Sequence, residues 1–134
     1  LSMGGHGSLY LAIRHPQTYA VVSAMSGVLD LRHTTQPAAL AEKLGALEEF
    51  PGRWINNSVI NMADSLQADS LSILIDCGVD DIFIESNRLF HRRLLSRNIP
   101  HSYIERPGGH TADYWKNAID YHLLYFQKFF RENL

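Results

Sequence analysis

The chain is 134 residues long, 46% hydrophobic and 19% charged, a composition that belongs to a folded chain and excludes a disordered one. Lys and Arg number 12 against 14 Asp and Glu, for a formal net charge of −2 with no basic run, so nucleic acid is not the expected partner. No apolar stretch approaches the ~18 residues of a membrane helix, and a lone cysteine, Cys77, excludes an internal disulfide framework and a cysteine-built zinc knuckle while leaving the compartment open.

The chain opens on Leu1-Ser2-Met3-Gly4-Gly5-His6-Gly7-Ser8, with no initiator Met and no signal-peptide pattern ahead of it. Leu9, Leu11, Ala12 and Ile13 then predict a short helix, stopped at His15-Pro16 because the residue before proline disfavours helix. The apolar run Tyr19 to Met25, closed by Ser26-Gly27, predicts a buried strand. A loop over 28–36 leads to an amphipathic helix over Pro37 to Glu48, with Leu40, Leu44 and Leu47 on one face and Pro51-Gly52 as its breaker. Residues 53–70 are polar and weakly patterned, with room for one or two short helices. Leu71 to Cys77 predicts a second buried strand ended by Gly78, and Phe83 to Asn98 a helix carrying Ile84, Leu89, Phe90, Leu94 and Leu95. Ser102 to Arg106 is a third strand, ended by Pro107-Gly108-Gly109. Thr111 to Leu134 is a long helix with Trp115, Ile119, Leu123, Phe126 and Phe130 at spacings of three and four. Strands alternating with helices imply βαβ units and a parallel sheet, hence an α/β fold.

Three positions could carry chemistry. Ser2-Met3-Gly4-Gly5 matches the second half of G-x-S-x-G, the nucleophile elbow, in which serine sits on a sharp strand-to-helix turn and needs small neighbours. The N–H groups opening the following helix face the substrate, and Met3 N–H, next after the nucleophile, is a candidate oxyanion donor. Taken alone, the pattern also fits a Gly/Ser-rich helix start. His110 lies in Pro107-Gly108-Gly109-His110-Thr111 after the third strand, where a loop can present an imidazole; a surface loop histidine is the plainer alternative. Gly78-Val79-Asp80-Asp81 follows the second strand, and spacing favours Asp81 over Asp80 as the acid that orients a histidine, against a solvated acidic turn. Asp76 sits inside the apolar strand and asks for a separate explanation. His6 is expected to pack on the first helix; His15, His33, His91, His101 and His122 have no partner in view. No H-E-x-x-H, Walker loop or histidine pair at ligand spacing occurs. Gly4-Gly5-His6-Gly7 imitates a phosphate cradle without the acidic residue such a cradle needs downstream.

Jointly, Ser2, Asp81 and His110 run in the Ser…Asp…His chain order of α/β-hydrolases, each at the C-terminal end of a predicted or implied strand, where open α/β sheets bind ligands. The segments LSMGGHGSLYLA, LIDCGVDDIFIESNRLFHRRL and IPHSYIERPGGHTADYWKNAIDYHLLYF resemble the C-terminal half of the esterase D-like α/β-hydrolases. That group includes feruloyl and acetyl-xylan esterases, tributyrin-type esterases and S-formylglutathione hydrolases. The resemblance covers nearly the whole chain and is weakest over 35–68. It implies that residues 1–134 form the C-terminal portion of a single α/β-hydrolase domain: the last three strands of a mostly parallel eight-stranded sheet with flanking helices. The strand entering Ser2, the earlier strands and the loop donating the second oxyanion N–H would lie upstream. It further implies Ser2 as nucleophile, His110 as base and then acid, and Asp81 as the group orienting His110.

The expected activity is that of a serine carboxylesterase acting on small acyl esters, including esters on plant-polysaccharide sugars, through an acyl-enzyme and without metal or organic cofactor. A thioesterase of the S-formylglutathione hydrolase type is the enzymatic alternative, and a non-catalytic scaffold the alternative from another class. The expected partners are a small-molecule ester and a second copy of the chain, with neither nucleic acid nor membrane.

Overall fold

A computed structural model describes residues 1–133. Its centre is a parallel three-stranded sheet of β1 (Val21–Met25), β2 (Ser72–Gly78) and β3 (Ser102–Arg106), in that spatial order. Val21 to Met25 align with Ser72 to Asp76, and Leu74 to Gly78 with Ser102 to Arg106, so all three strands finish near one edge. Helices α1 (Met3–Arg14) and α4 (Ile84–Ser96) cover one face, and α5 (Ala112–Asn133) crosses the other. Among the described residues no helix is long and apolar enough to cross a membrane.

Strand alternation divides β2 between the two layers. Ile73 and Ile75 join Leu9, Ala12, Val22, Ala24, Phe90 and Leu94 in the main core under α1 and α4. Asp76 points to the α5 layer, where Met25, Tyr114 and Ala118 form a smaller apolar cluster. A central strand buried on both faces reads as an unbroken apolar run, which is why 71–77 is legible from sequence.

Several boundaries differ from expectation. The first helix starts at Met3 rather than near Leu9, because Gly4, Gly5 and Gly7 are helical despite their low propensity. Gly5 has a packing reason: a Cβ there would lie 3.1 Å from Gly27 Cα and 3.3 Å from Met25 O, so α1 lies against the end of β1 only through a glycine. The helix expected over 37–48 is α2, Pro37–Leu44, ended at Gly45. Pro51 does not merely break it but opens α3, Pro51–Asn57, whose Trp54 donates its Nε1–H to Gly45 O. The weakly patterned stretch that follows contains two 3₁₀ turns, Val59–Asn61 and Ala63–Ser65, which with Leu66 bury Val59, Ile60, Met62 and Ala63 in the main core. Strand β1 starts at Val21, two residues late, with Tyr19 exposed in the preceding turn. On α5 the apolar stripe is not the buried face: Tyr114, Ala118 and His122 are buried, while Ile119, Leu123 and Phe130 are exposed.

Candidate active site

The three candidate residues meet at the C-terminal edge of the sheet. Ser2 is the residue before α1 and holds φ 52°, ψ −125°, a left-handed conformation that a side chain rarely adopts. It is held there from both sides: Ser2 N–H donates to Met25 O at 2.9 Å, and Ser2 O accepts from Gly5 and Val28 N–H at 3.0 and 3.2 Å. This turn lifts Ser2 Oγ to 3.0 Å from His110 Nε2. The other ring nitrogen, Nδ1, lies 3.0 and 3.2 Å from the two carboxylate oxygens of Asp81. With the proton on Nδ1, the imidazole donates to Asp81 and accepts from the serine hydroxyl.

Asp81 is buried and accepts Phe83 N–H at 2.9 Å, which fixes its carboxylate toward the ring. Asp80 is exposed, and its backbone N–H donates to Gly108 O. That bond, with Val79 N–H to Arg106 O, ties the loop carrying Asp81 to the loop carrying His110. The two loops touch at glycines: a Cβ on Gly78 would sit 2.1 Å from Gly108 O, and Gly108 has φ 130°.

Sequence reasoning left out the walls around His110. Phe83 and Trp115 each stand edge-to-face to the imidazole, with centroids 5.0 and 4.9 Å away. Trp115 Nε1–H donates to Ser26 Oγ at 3.0 Å, anchoring α5 to the end of β1. The sequence shows Trp115 only as part of the apolar stripe of its helix; its position five residues after His110 is the signal that points to the wall. Met3 N–H is the first amide of α1 and, like the other first-turn amides, has no acceptor one turn back within the helix. It opens beside Ser2 at the positive end of the helix dipole.

The remaining histidines serve elsewhere. His6 is buried, donates Nε2–H to Asn57 O at 2.9 Å, and stacks on Tyr10; burial pushes its pKa down, against that backbone contact. Four histidines without an expected partner have one: His122 meets Asp76 at 3.3 Å, His91 and His101 face each other at 2.7 Å, and His33 Nδ1 lies 3.6 Å from Asp30 Oδ2. Asp76, the acid inside β2, is fully buried and bonded to Arg106, Tyr114 and His122. Among the described residues no group of three or more His, Cys, Asp or Glu is placed to hold a metal ion. Burial and nearby carboxylates push the Cys77 thiol far up, so it stays protonated and unreactive.

Comparison with known proteins adds the lineage. The family model described as "Putative esterase" matches residues 1–126. An acetyl esterase of Caldicellulosiruptor saccharolyticus is 25% identical over 131 residues, covering 89% of this chain and 49% of that protein. A rat (Rattus norvegicus) S-formylglutathione hydrolase is 31% identical over 88 residues, covering 66% of this chain and 30% of that protein. A solved ferulic acid esterase superposes with a TM-score of 0.72 at 27% identity, over 93% of this chain and 47% of that one. The chain thus spans half or less of the length of each of these relatives.

Proposed function

This chain belongs to the Esterase family, and from that premise we propose that it carries the nucleophile, base and acid of a serine carboxylesterase. The observation that carries the reading is the unbroken hydrogen-bond line from Ser2 Oγ through His110 to Asp81. In the proposed reaction Ser2 Oγ attacks the ester carbonyl as His110 Nε2 takes its proton. The negative charge that develops on the carbonyl oxygen is met by Met3 N–H. Collapse expels the alcohol, which receives the proton from His110, and leaves the acyl group on Ser2. Water, deprotonated by His110, then releases the acid and restores the serine. Asp81 holds the ring in its Nδ1–H tautomer and stabilises the imidazolium. No step calls for a metal or organic cofactor.

The substrate in this reading is a small acyl ester, with esters on plant-polysaccharide sugars as the favoured class, supported by the likeness to an acetyl esterase and a ferulic acid esterase. A thioester is the second reading, supported by the likeness to an S-formylglutathione hydrolase. We place residues 1–134 as the C-terminal portion of a single hydrolase domain, with the second oxyanion donor on an earlier loop. The proposed protein partner is a second copy. In residues 1–134 taken by themselves β1 is an edge of the sheet, and the stripe Ile119, Leu123 and Phe130 of α5 is exposed, so joining two such surfaces would pair strand edges and cover apolar side chains.

The test is labelling of the full-length protein with a fluorophosphonate. Modification at Ser2, lost in Ser2→Ala, supports the reading; modification that survives Ser2→Ala overturns it. Rates on acetylated xylan and on S-formylglutathione then separate the two substrate classes. Light scattering on residues 1–134 by themselves that finds only monomers rejects the second copy.

A further inference from the structure

Asp76 is the one buried carboxylate of β2 that the proposed reaction does not use, and its partners are arranged around His110. Arg106 lies four residues before His110 and Tyr114 four residues after it. Arg106 Nη2 donates to Asp76 Oδ2 at 2.6 Å, and Tyr114 Oη donates to Asp76 Oδ1. His122, two turns further along α5, meets Asp76 Oδ2 at 3.3 Å. Asp81 lies five residues on, in the turn that follows this strand. One carboxylate therefore grips both ends of the loop that presents His110, from the strand that presents its acid.

We propose that Asp76, Tyr114 and Arg106 form a clamp that positions His110 against Asp81 and Ser2, a role that rests on the esterase reading above. Packing points the same way. The Tyr114 ring lies against Gly108, where an added Cβ would meet its Cδ2 at 2.7 Å, and Gly108 in turn seals against Gly78. Arg106 Cζ lies 5.2 and 4.4 Å from the ring centroids of Tyr114 and Tyr121, cation–π contacts that help hold its guanidinium beside the carboxylate. A loop fixed at both ends to one rigid strand loses the freedom that would otherwise let the imidazole swing away from Ser2. Burial alone would push the Asp76 carboxyl up, but His122, Tyr114 and Arg106 together hold it below the ordinary value, so the clamp is closed by a charged acceptor. These are positioning residues: none reaches the reacting atoms.

The test uses Tyr114→Phe in the full-length protein, which keeps the ring against Gly108 and removes only the hydroxyl. On p-nitrophenyl acetate, kcat is expected to fall by up to about 10²-fold with KM little changed, the signature of a misplaced catalytic group. A far-downfield proton resonance of His110 Nδ1–H is expected in the wild type and is expected to broaden or vanish in the variant at temperatures where it is folded. Asp76→Asn gives the same two changes and backs up the first variant should its expression fail. A folded Tyr114→Phe protein with wild-type kcat and an unchanged resonance overturns the proposal. Failure of the esterase reading shows differently: wild-type Ser2 then resists fluorophosphonate, while the resonance, which needs no turnover, still decides the clamp.

Discussion

The chain contains two aspartate–histidine pairs, built from the same two residue types, whose aspartates Asp76 and Asp81 are five residues from each other at the end of β2 and in the turn after it. Asp81 and His110 are half open: the carboxylate is buried, but the imidazole is partly exposed and its second nitrogen faces a serine hydroxyl. Asp76 and His122 are closed: both are buried, and an arginine and a tyrosine complete the carboxylate's coordination. The difference shows that an Asp–His contact is chemically mute by itself. What makes one pair a proposed proton relay is a ring nitrogen left free toward a nucleophile, and what makes the other a brace is a carboxylate with every oxygen spoken for.

The contrast can be broken by substitution. Ser2→Ala and His110→Ala should each lower kcat by about 10⁶-fold in the full-length protein, because such residues act as a unit. Asp81→Asn should cost about 10⁴-fold by favouring the wrong tautomer, with the fold retained. If Asp76→Asn were equally costly in rate and harmless to stability, the two pairs would not be divided as described. Its expected cost is a kcat loss of no more than about 10²-fold together with about 3–5 kcal/mol of stability, the penalty of breaking a buried ion pair, read from urea denaturation.

The sign of the pH dependence sharpens the same point. Asp76 has its folded pKa below its unfolded value, so its stabilisation is complete above the ordinary carboxylate value of about 4 and is lost as pH falls toward the folded one. The wild type should therefore lose stability in acid more steeply than Asp76→Asn, as measured by melting temperature from pH 5 down to about 3. The smallest effect is expected at Cys77, whose buried, protonated thiol takes no part in either pair. Cys77→Ala should leave kcat unchanged, and the folded wild type should resist thiol reagents.

Where the sequence was informative, the reason was local. Leu71 to Cys77 shows its burial as a plain apolar run, and the resemblance to the family is carried by segments that include the turns after the strands. The region from Val59 to Leu66 hid its contribution to the core because 3₁₀ turns lack the 3.6-residue period that marks a helix. α5 misled for the opposite reason. Its periodic stripe is real, but the buried face is set by partners distant in sequence: Tyr114 and His122 turn inward to reach Asp76. Ser2, Asp81 and His110 could be proposed as a set because each lies just past a strand and the order fits a known pattern. Their distances, the bond from Phe83 N–H and the Trp115 wall depend on how the ends of three strands and a helix come together, which no spacing encodes.

The left-handed backbone of Ser2 carries a thermodynamic consequence. A residue with a side chain held at φ 52° is expected to cost about 1–3 kcal/mol relative to an unstrained one. Glycine would adopt that turn with little of the penalty. Ser2→Gly is therefore a substitution that should raise the melting temperature while removing the hydroxyl on which the proposed reaction depends. In the proposed reading, the strain at Ser2 is therefore stability given up for the position of a single hydroxyl.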